Sequence, residues 1–295
     1  MQNYEKCNFC ARKCGIDRTK TLGYCKETAE LSIARAALHF WEEPPISGIN
    51  GSGTIFFSGC SLSCVFCQNR EISRGRTGKS VTIERLSKIM LELQAKGAHN
   101  INLVTPTHYI PSIADAIRFA RSSGLTIPIV YNTGSYDSPE ALKMLDGLVD
   151  VYLPDMKYYT SKTAKECSNA ADYPEAAKAA IAEMFRQVGE PTFDEEGIMK
   201  KGVIVRILLL PGHVAEAKLC LKYLLDSYGD SIYISLMNQY TPMPNMKPPL
   251  NRGVTHEEYA QLIDYADRLG LINGFTQDFG TAKESFIPPF DNTGI

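Results

Sequence analysis

From residue 54 onward, short apolar runs rich in β-branched residues alternate with apolar stripes at helical spacing. This alternation leaves few architectures open. Thr54–Phe57, Ile101–Val104, Ile129–Tyr131, Val149–Leu153, Val203–Leu210 and Ile232–Met237 read as strands. Between them, Leu86, Ile89, Met90 and Leu93 repeat at i, i+3, i+4, i+7, as do Ile110, Ile113, Ala114 and Ile117. That is the stripe of an amphipathic helix, and Gly97 and Gly124 supply stops. Ser138 and Pro139 read as an N-cap followed by an N1 proline, opening a helix through Leu145. Asp172 and Pro174 open a longer one with Ala177, Ile181, Met184 and Val188 along one face, and another runs through Leu221, Leu224 and Leu225. Thr255 and Glu258 fit a capping box ahead of Tyr259, Leu262, Ile263 and Ala266, and Leu271–Phe275 is a candidate last strand.

About six β–α units predict an α/β fold with a parallel sheet and right-handed crossovers. Six are too few to close an eight-stranded barrel, so the expectation is an open, partial (β/α)6 TIM-like barrel. Ligands in such folds sit at the carboxyl ends of the strands. Chemistry is therefore expected directly after each strand. Residues 1–50 read as a cysteine-rich metal-binding segment with a lead-in, and residues 51–295 as the barrel.

The net charge of −2 excludes a strongly basic nucleic-acid-binding protein. Val203–Leu210, the longest apolar stretch, is broken by Arg206, and a membrane span needs about 20 apolar residues. The first ten residues, MQNYEKCNFC, hold no apolar core of a secretory signal. A cytoplasmic location is expected, and neither nucleic acid nor membrane as a partner.

Seven of the nine cysteines fall in two tight groups: Cys7, Cys10, Cys14 and Cys25, then Cys60, Cys64 and Cys67. A reducing compartment favours metal or redox roles over disulfides. Cys167 and Cys220 stand alone and read as packing or surface thiols. The second group follows the first predicted strand in C-x3-C-x2-C spacing. Three thiolates there suit one face of an iron–sulfur cube, with the fourth iron left open. The alternative is a zinc knuckle that borrows a ligand, although zinc sites favour paired C-x2-C units. The first group supplies four thiolates, enough to close a tetrahedral zinc site or to hold a second four-iron cluster as an electron relay.

The triplet, with Phe66 before its last cysteine, resembles the signature of radical S-adenosylmethionine enzymes. The resemblance implies that Cys60, Cys64 and Cys67 bind a [4Fe-4S] cluster and that Phe66 lies beside the adenine of the cofactor. It implies that the open iron chelates S-adenosylmethionine, and that reductive cleavage yields a 5′-deoxyadenosyl radical that abstracts hydrogen from a substrate. More narrowly, the chain is similar to uncharacterised proteins related to the pyruvate formate-lyase activating enzyme. The similarity rests on the N-terminal cysteines with Gly23-Tyr-Cys25, Val104–Tyr109, Tyr131–Thr133, Tyr152–Tyr158, Val205-Arg206 and Leu210–Gly212. These segments span nearly the whole chain. They imply an anaerobic activase-like oxidoreductase, a reductant such as flavodoxin or ferredoxin, and a protein as the leading class of substrate. The rival is a non-catalytic iron–sulfur or zinc protein for electron transfer or redox sensing.

Asp155 and Lys157 have D-x-K spacing after the fourth strand, so both side chains face one way. The resemblance implies that Lys157 pairs with the cofactor carboxylate and that Asp155 holds a hydroxyl or small cation. It places Arg206 on the methionyl carboxylate; the alternative is a structural partner for a barrel carboxylate. Where the activating enzyme has Gly-Gly-Glu-Pro, this chain has Thr105-Pro-Thr107-His108. Carbonyls near Val104 and Thr105 are then expected to take the cofactor's amino group. Thr105, Thr107, His108, Tyr109, Asn132, Thr133 and, more weakly, His213, Gln239 and Tyr240 complete the candidates.

Overall fold

The computed structural model describes residues 4–74, 77–278 and 288–295. Its strands are β1 (Leu31–His39), β2 (Ser52–Phe57), β3 (Lys79–Val81), β4 (Ile101–Val104), β5 (Ile129–Thr133), β6 (Val151–Pro154), β7 (Thr192–Phe193), β8 (Met199–Leu208), β9 (Tyr233–Met237) and β10 (Gly274–Thr276). Its helices are α1 (Pro44–Ser47), α2 (Arg70–Arg74), α3 (Ile83–Ala95), α4 (Ile110–Ser122), α5 (Pro139–Leu142), α6 (Ser161–Ser168), α7 (Tyr173–Val188), α8 (Val214–Tyr228) and α9 (His256–Leu269). The sheet runs β10-β9-β8-β6-β5-β4-β2-β1-β3, with β7 beside β8. The pairs from β2 to β10 along this path are parallel, and β1 is antiparallel to both β2 and β3. Among the described residues the ladder does not close on itself. The fold is the expected open, mostly parallel α/β sheet.

Local chemistry accounts for most boundaries. Thr82 caps α3 by accepting from the Arg85 N–H, and the Thr255–Glu258 capping box at α9 is complete. The helix opened by Pro139 passes into a 3-10 turn at Lys143–Leu145. Strand β8 begins at Met199 and ends at Leu208, earlier at both ends than its apolar run suggested. Sequence reading gave no strand to Leu31–His39 and no helix to Ser161–Ser168. The first adds an antiparallel edge through the lead-in, with Ala36 opposite Ile55.

Strand period two sorts the core. Ile55, Leu103, Tyr131, Tyr152, Val203 and Val205 pack with the helices in one large cluster. Val130, Val151, Leu153 and Ile204 point the other way, into a second cluster with Ile46 and Met199. Each such fully buried aliphatic side chain contributes about 1.5–3 kcal/mol. Two residues further along the same face come Asn132, Asp155 and Arg206, so the inner face turns from apolar to polar at the carboxyl ends of the strands.

Candidate active site

The cysteine triplet lies in the loop directly after β2. Gly59 turns the chain there at φ +83°. A Cβ on it would stand 2.7 Å from the Cys25 carbonyl oxygen and 2.4 Å from the Glu27 side chain, so glycine is required. The Gly59 N–H donates to the Ile72 carbonyl at 2.8 Å and the Cys60 N–H to the Cys25 carbonyl at 3.3 Å. From α2, Arg74 donates to the carbonyls of Ser63 and Cys64, each at 3.0 Å. These contacts hold the loop's backbone while Cys60, Cys64 and Cys67 all line one cavity of about 250 Å³. Burial, and then the neighbouring Cys64 and Cys67, push the Cys60 thiol up. Burial raises the Cys67 thiol too, so holding Cys60 and Cys67 as thiolates calls for a strongly positive partner.

Phe66, Thr105, Thr107, Asn132, Asp155, Lys157 and Arg206 line the same cavity. Lys157 Nζ donates to Asp155 Oδ2 at 2.5 Å and Arg206 Nε to Asp155 Oδ1 at 2.8 Å. Burial alone would raise the Asp155 carboxyl, but Arg206 and Lys157 hold it below the usual carboxylate range. Thr105 sits at φ +59°, a strained conformation for a β-branched residue, while its N–H donates to the Asn132 carbonyl at 2.9 Å. Thr107 Oγ1 lies 3.3 Å from Thr133 Oγ1, which donates to buried Asp137 at 2.6 Å.

His108 is not among the residues lining the cavity. It is buried behind the cluster loop, with Nε2 2.7 Å from the Ser58 carbonyl oxygen, and burial lowers its pKa to about 3. Tyr109 is buried beside it and donates to Glu27 at 3.4 Å. Thr133 and Gln239 do line the cavity, whereas His213 lines a separate small cleft. Tyr240 packs against Phe66, ring centroids 6.1 Å apart.

Sequence reading missed the segment after β1. His39, Trp41 and Glu42 line the cavity, and Glu42 Oε2 accepts from Asn132 Nδ2 at 2.9 Å and lies 3.4 Å from an Arg206 nitrogen. The signal available was an acidic pair beside the lone tryptophan, with no strand recognised ahead of it. Arg18 was missed as well. It is wholly buried, donates to the carbonyls of Glu27, Thr28 and His108, and sits 3.8 Å from Cys7 Sγ. Cys7 and Cys25 are buried near it, Cys10 is buried and Cys14 is half-buried. Burial and then Cys25, Cys7 and Cys14 push the Cys10 thiol up to about 12. Among the described residues no three or more His, Cys, Asp or Glu side chains are set to hold a single metal ion. A four-iron cube asks for something else, because each thiolate binds its own iron.

The sequence matches the radical SAM superfamily over residues 54–218, more than half of the chain. The chain belongs to that superfamily. Over 282 residues it is 28% identical to an uncharacterised protein of Methanocaldococcus jannaschii, covering 91% of this chain and 76% of the relative. In fold it resembles Streptococcus suis SuiB bound to S-adenosylmethionine, with TM-score 0.52, 13% identity, and coverage of 74% of this chain and 48% of SuiB. SuiB bound to its precursor peptide SuiA gives TM-score 0.51, 15% identity, and coverage of 76% and 48%. The chain thus spans about half the length of the SuiB structures it matches. As a radical SAM protein its family chemistry requires a [4Fe-4S] cluster, S-adenosylmethionine and a reductant. The donor set fits: three cysteines line the same cavity as cations and carboxylates. No helix among the described residues is long and apolar enough to cross a membrane.

Proposed function

We propose that this chain is a radical S-adenosylmethionine enzyme that abstracts hydrogen from a substrate. One observation carries the reading. The cysteine triplet and the Asp155–Lys157–Arg206 group, far apart in sequence, line a single cavity at the strand ends. A sensor or carrier of electrons has no use for those charges beside its cluster. Reduced by one electron, the bound cluster supplies reductive cleavage of S-adenosylmethionine to a 5′-deoxyadenosyl radical. Cys60, Cys64 and Cys67 would hold three irons. Phe66 would face the adenine, Thr105, Thr107 and Asn132 would line the cofactor's berth with backbone or side-chain polar groups, and Lys157 and Arg206 would meet its carboxylate. His108 lies behind the loop against the Ser58 carbonyl, off the cavity wall, and is left out of the cofactor's berth.

The activase-like subtype, in the branch related to the pyruvate formate-lyase activating enzyme, is supported by Trp41. This residue lines the cavity yet is 60% exposed, as an aromatic anchor for a protein segment would be. The reductant is then a flavodoxin or ferredoxin in an anaerobic cytoplasm. We assign Cys7, Cys10, Cys14 and Cys25, within residues 1–50, to a second centre: zinc first, whose binding would have to draw the four thiols together because no three of them are set for one ion among the described residues, and a second cluster as the alternative. Buried Arg18, 3.8 Å from Cys7 Sγ, offers the positive charge that four thiolates call for.

The deciding experiment is anaerobic reconstitution, reduction with dithionite and addition of S-adenosylmethionine. Formation of 5′-deoxyadenosine is expected. A fully loaded, reduced protein that forms none overturns the enzymatic reading in favour of electron transfer or sensing.

A further inference from the structure

Cys64 is the triplet cysteine whose sulfur meets a buried hydroxyl. Ser168, at the last turn of α6, places Oγ 3.0 Å from Cys64 Sγ. Tyr158 OH lies 2.6 Å from the same Ser168 Oγ. Both residues are fully buried, so water does not substitute for either contact. A thiolate accepts hydrogen bonds and donates none. Once Cys64 is ionised, the Ser168 hydroxyl must donate to it, and Tyr158 must then donate to Ser168. The hydrogens run in one direction, from Tyr158 through Ser168 to sulfur, and each donor polarises the next.

Two further contacts fix this chain of hydroxyls against the cluster loop. The Val65 N–H donates to the Cys167 carbonyl at 2.9 Å, tying the loop to the end of α6. Arg12, which lies between Cys10 and Cys14, spans both pieces. Its Nε donates to the Ser61 carbonyl at 3.0 Å, and its other nitrogens donate to the Asn169 and Ser168 carbonyls at 2.7 and 3.2 Å. Its guanidinium rests on the rings of Tyr24 and Tyr136, 4.0 and 5.0 Å from their centroids. The distance from Ser168 to Cys64 is thus set by a rigid fork and not by a flexible loop.

We propose that the Tyr158–Ser168 relay, held in register by Arg12, donates a hydrogen bond to Cys64 Sγ and sets the reduction potential of the triplet-bound cluster. The inference rests on the radical S-adenosylmethionine reading of the triplet. When the cluster takes one electron from its reductant, the added negative charge spreads onto the sulfurs. A donor at Cys64 stabilises that reduced state more than the oxidised one, and so raises the potential. Ser168 and Tyr158 act through the sulfur and are positioning residues.

The test is a redox titration of the reduced cluster's electron-spin signal, without S-adenosylmethionine, on Ser168→Ala, Tyr158→Phe and Arg12→Gln full-length proteins at matched iron content. Ser168→Ala should shift the midpoint to more negative potential. At the parent's midpoint its reduced-to-oxidised ratio should fall about tenfold, equivalent to about 59 mV for one electron. Tyr158→Phe and Arg12→Gln should shift it less, in the same direction. Tyr158→Phe preserves the ring volume and carries the test if Ser168→Ala assembles poorly. Parent-like midpoints in the hydroxyl variants overturn the relay. A parent that forms the cluster but cleaves no S-adenosylmethionine overturns the functional reading alone, because the titration needs no cofactor. A parent that forms no four-iron cluster overturns both.

Discussion

Arg206 and Asp155 are paired twice. Arg206 Nε donates to Asp155 Oδ1 at 2.8 Å, and their backbones form an isolated parallel bridge just beyond β6. The guanidinium also donates to Asn132 Oδ1 at 2.7 Å and lies 3.4 Å from Glu42. One side chain, 13% exposed, thereby joins β8, the end of β6, β5 and the segment after β1. This is the structural pairing that the sequence left open beside a cofactor role.

Arg206→Ala should destabilise the protein, by at most roughly 3–5 kcal/mol for a broken buried pair, because Lys157 still pairs with Asp155 while Glu42 loses its cation. Chemical denaturation measures it. Arg206→Lys should recover little, since one ammonium does not span three partners arranged for a planar fork. Titration with S-adenosylmethionine at matched iron loading asks the separate ligand question, and a loss of about 10- to 100-fold in affinity is expected for one charge-assisted contact. Unchanged stability together with unchanged affinity would contradict both roles.

Replacing Cys60, Cys64 or Cys67 with Ala should remove the four-iron absorbance and all formation of 5′-deoxyadenosine, because three thiolates leave no spare ligand. Full cleavage by Cys64→Ala would refute the assignment.

Glu43 gives a pH signature away from the cysteines. Burial pushes its carboxyl up to about 7, against the pull of nearby Arg206. Its folded pKa thus lies above its unfolded value, so its contribution is fully present below about pH 4.5. That contribution is lost as the pH rises through about 7. Glu43→Gln should flatten this part of the stability profile and gain roughly 2–4 kcal/mol relative to the parent at pH 8. Parallel parent and variant profiles between pH 5 and 8 (roughly the interval that the shift spans) would show that the carboxyl titrates normally.

The N-terminal cysteines should bind metal without the triplet. In a protein with Cys60, Cys64 and Cys67 all changed to Ala, elemental analysis should find about one zinc per chain. About four irons and no zinc would assign a second cluster instead. Cys10→Ala should lose that metal and speed proteolysis of the N-terminal segment, since metal binding and folding are coupled.

The sequence by itself determined whatever depends on local spacing. Short apolar, β-rich runs placed the central strands, helical stripes placed α3, α4, α7 and α9, and Thr255 with Glu258 announced a capping box that is present. The C-x3-C-x2-C triplet and the D-x-K pair announced groups that the structure brings to one cavity. Spacing records which way a side chain faces, because rise and twist are local. It does not record what lies opposite. Only the tertiary structure decided that Arg206 meets Asp155, that Glu42 crosses to Asn132, and that His108 lies behind the cluster loop instead of on the cavity wall. Leu31–His39 acquires its place as a strand by pairing with β2. Arg12 grips Ser168 and Asn169 across more than 150 residues of chain. Such contacts depend on how the sheet folds the chain back on itself, and no periodicity within either segment encodes them.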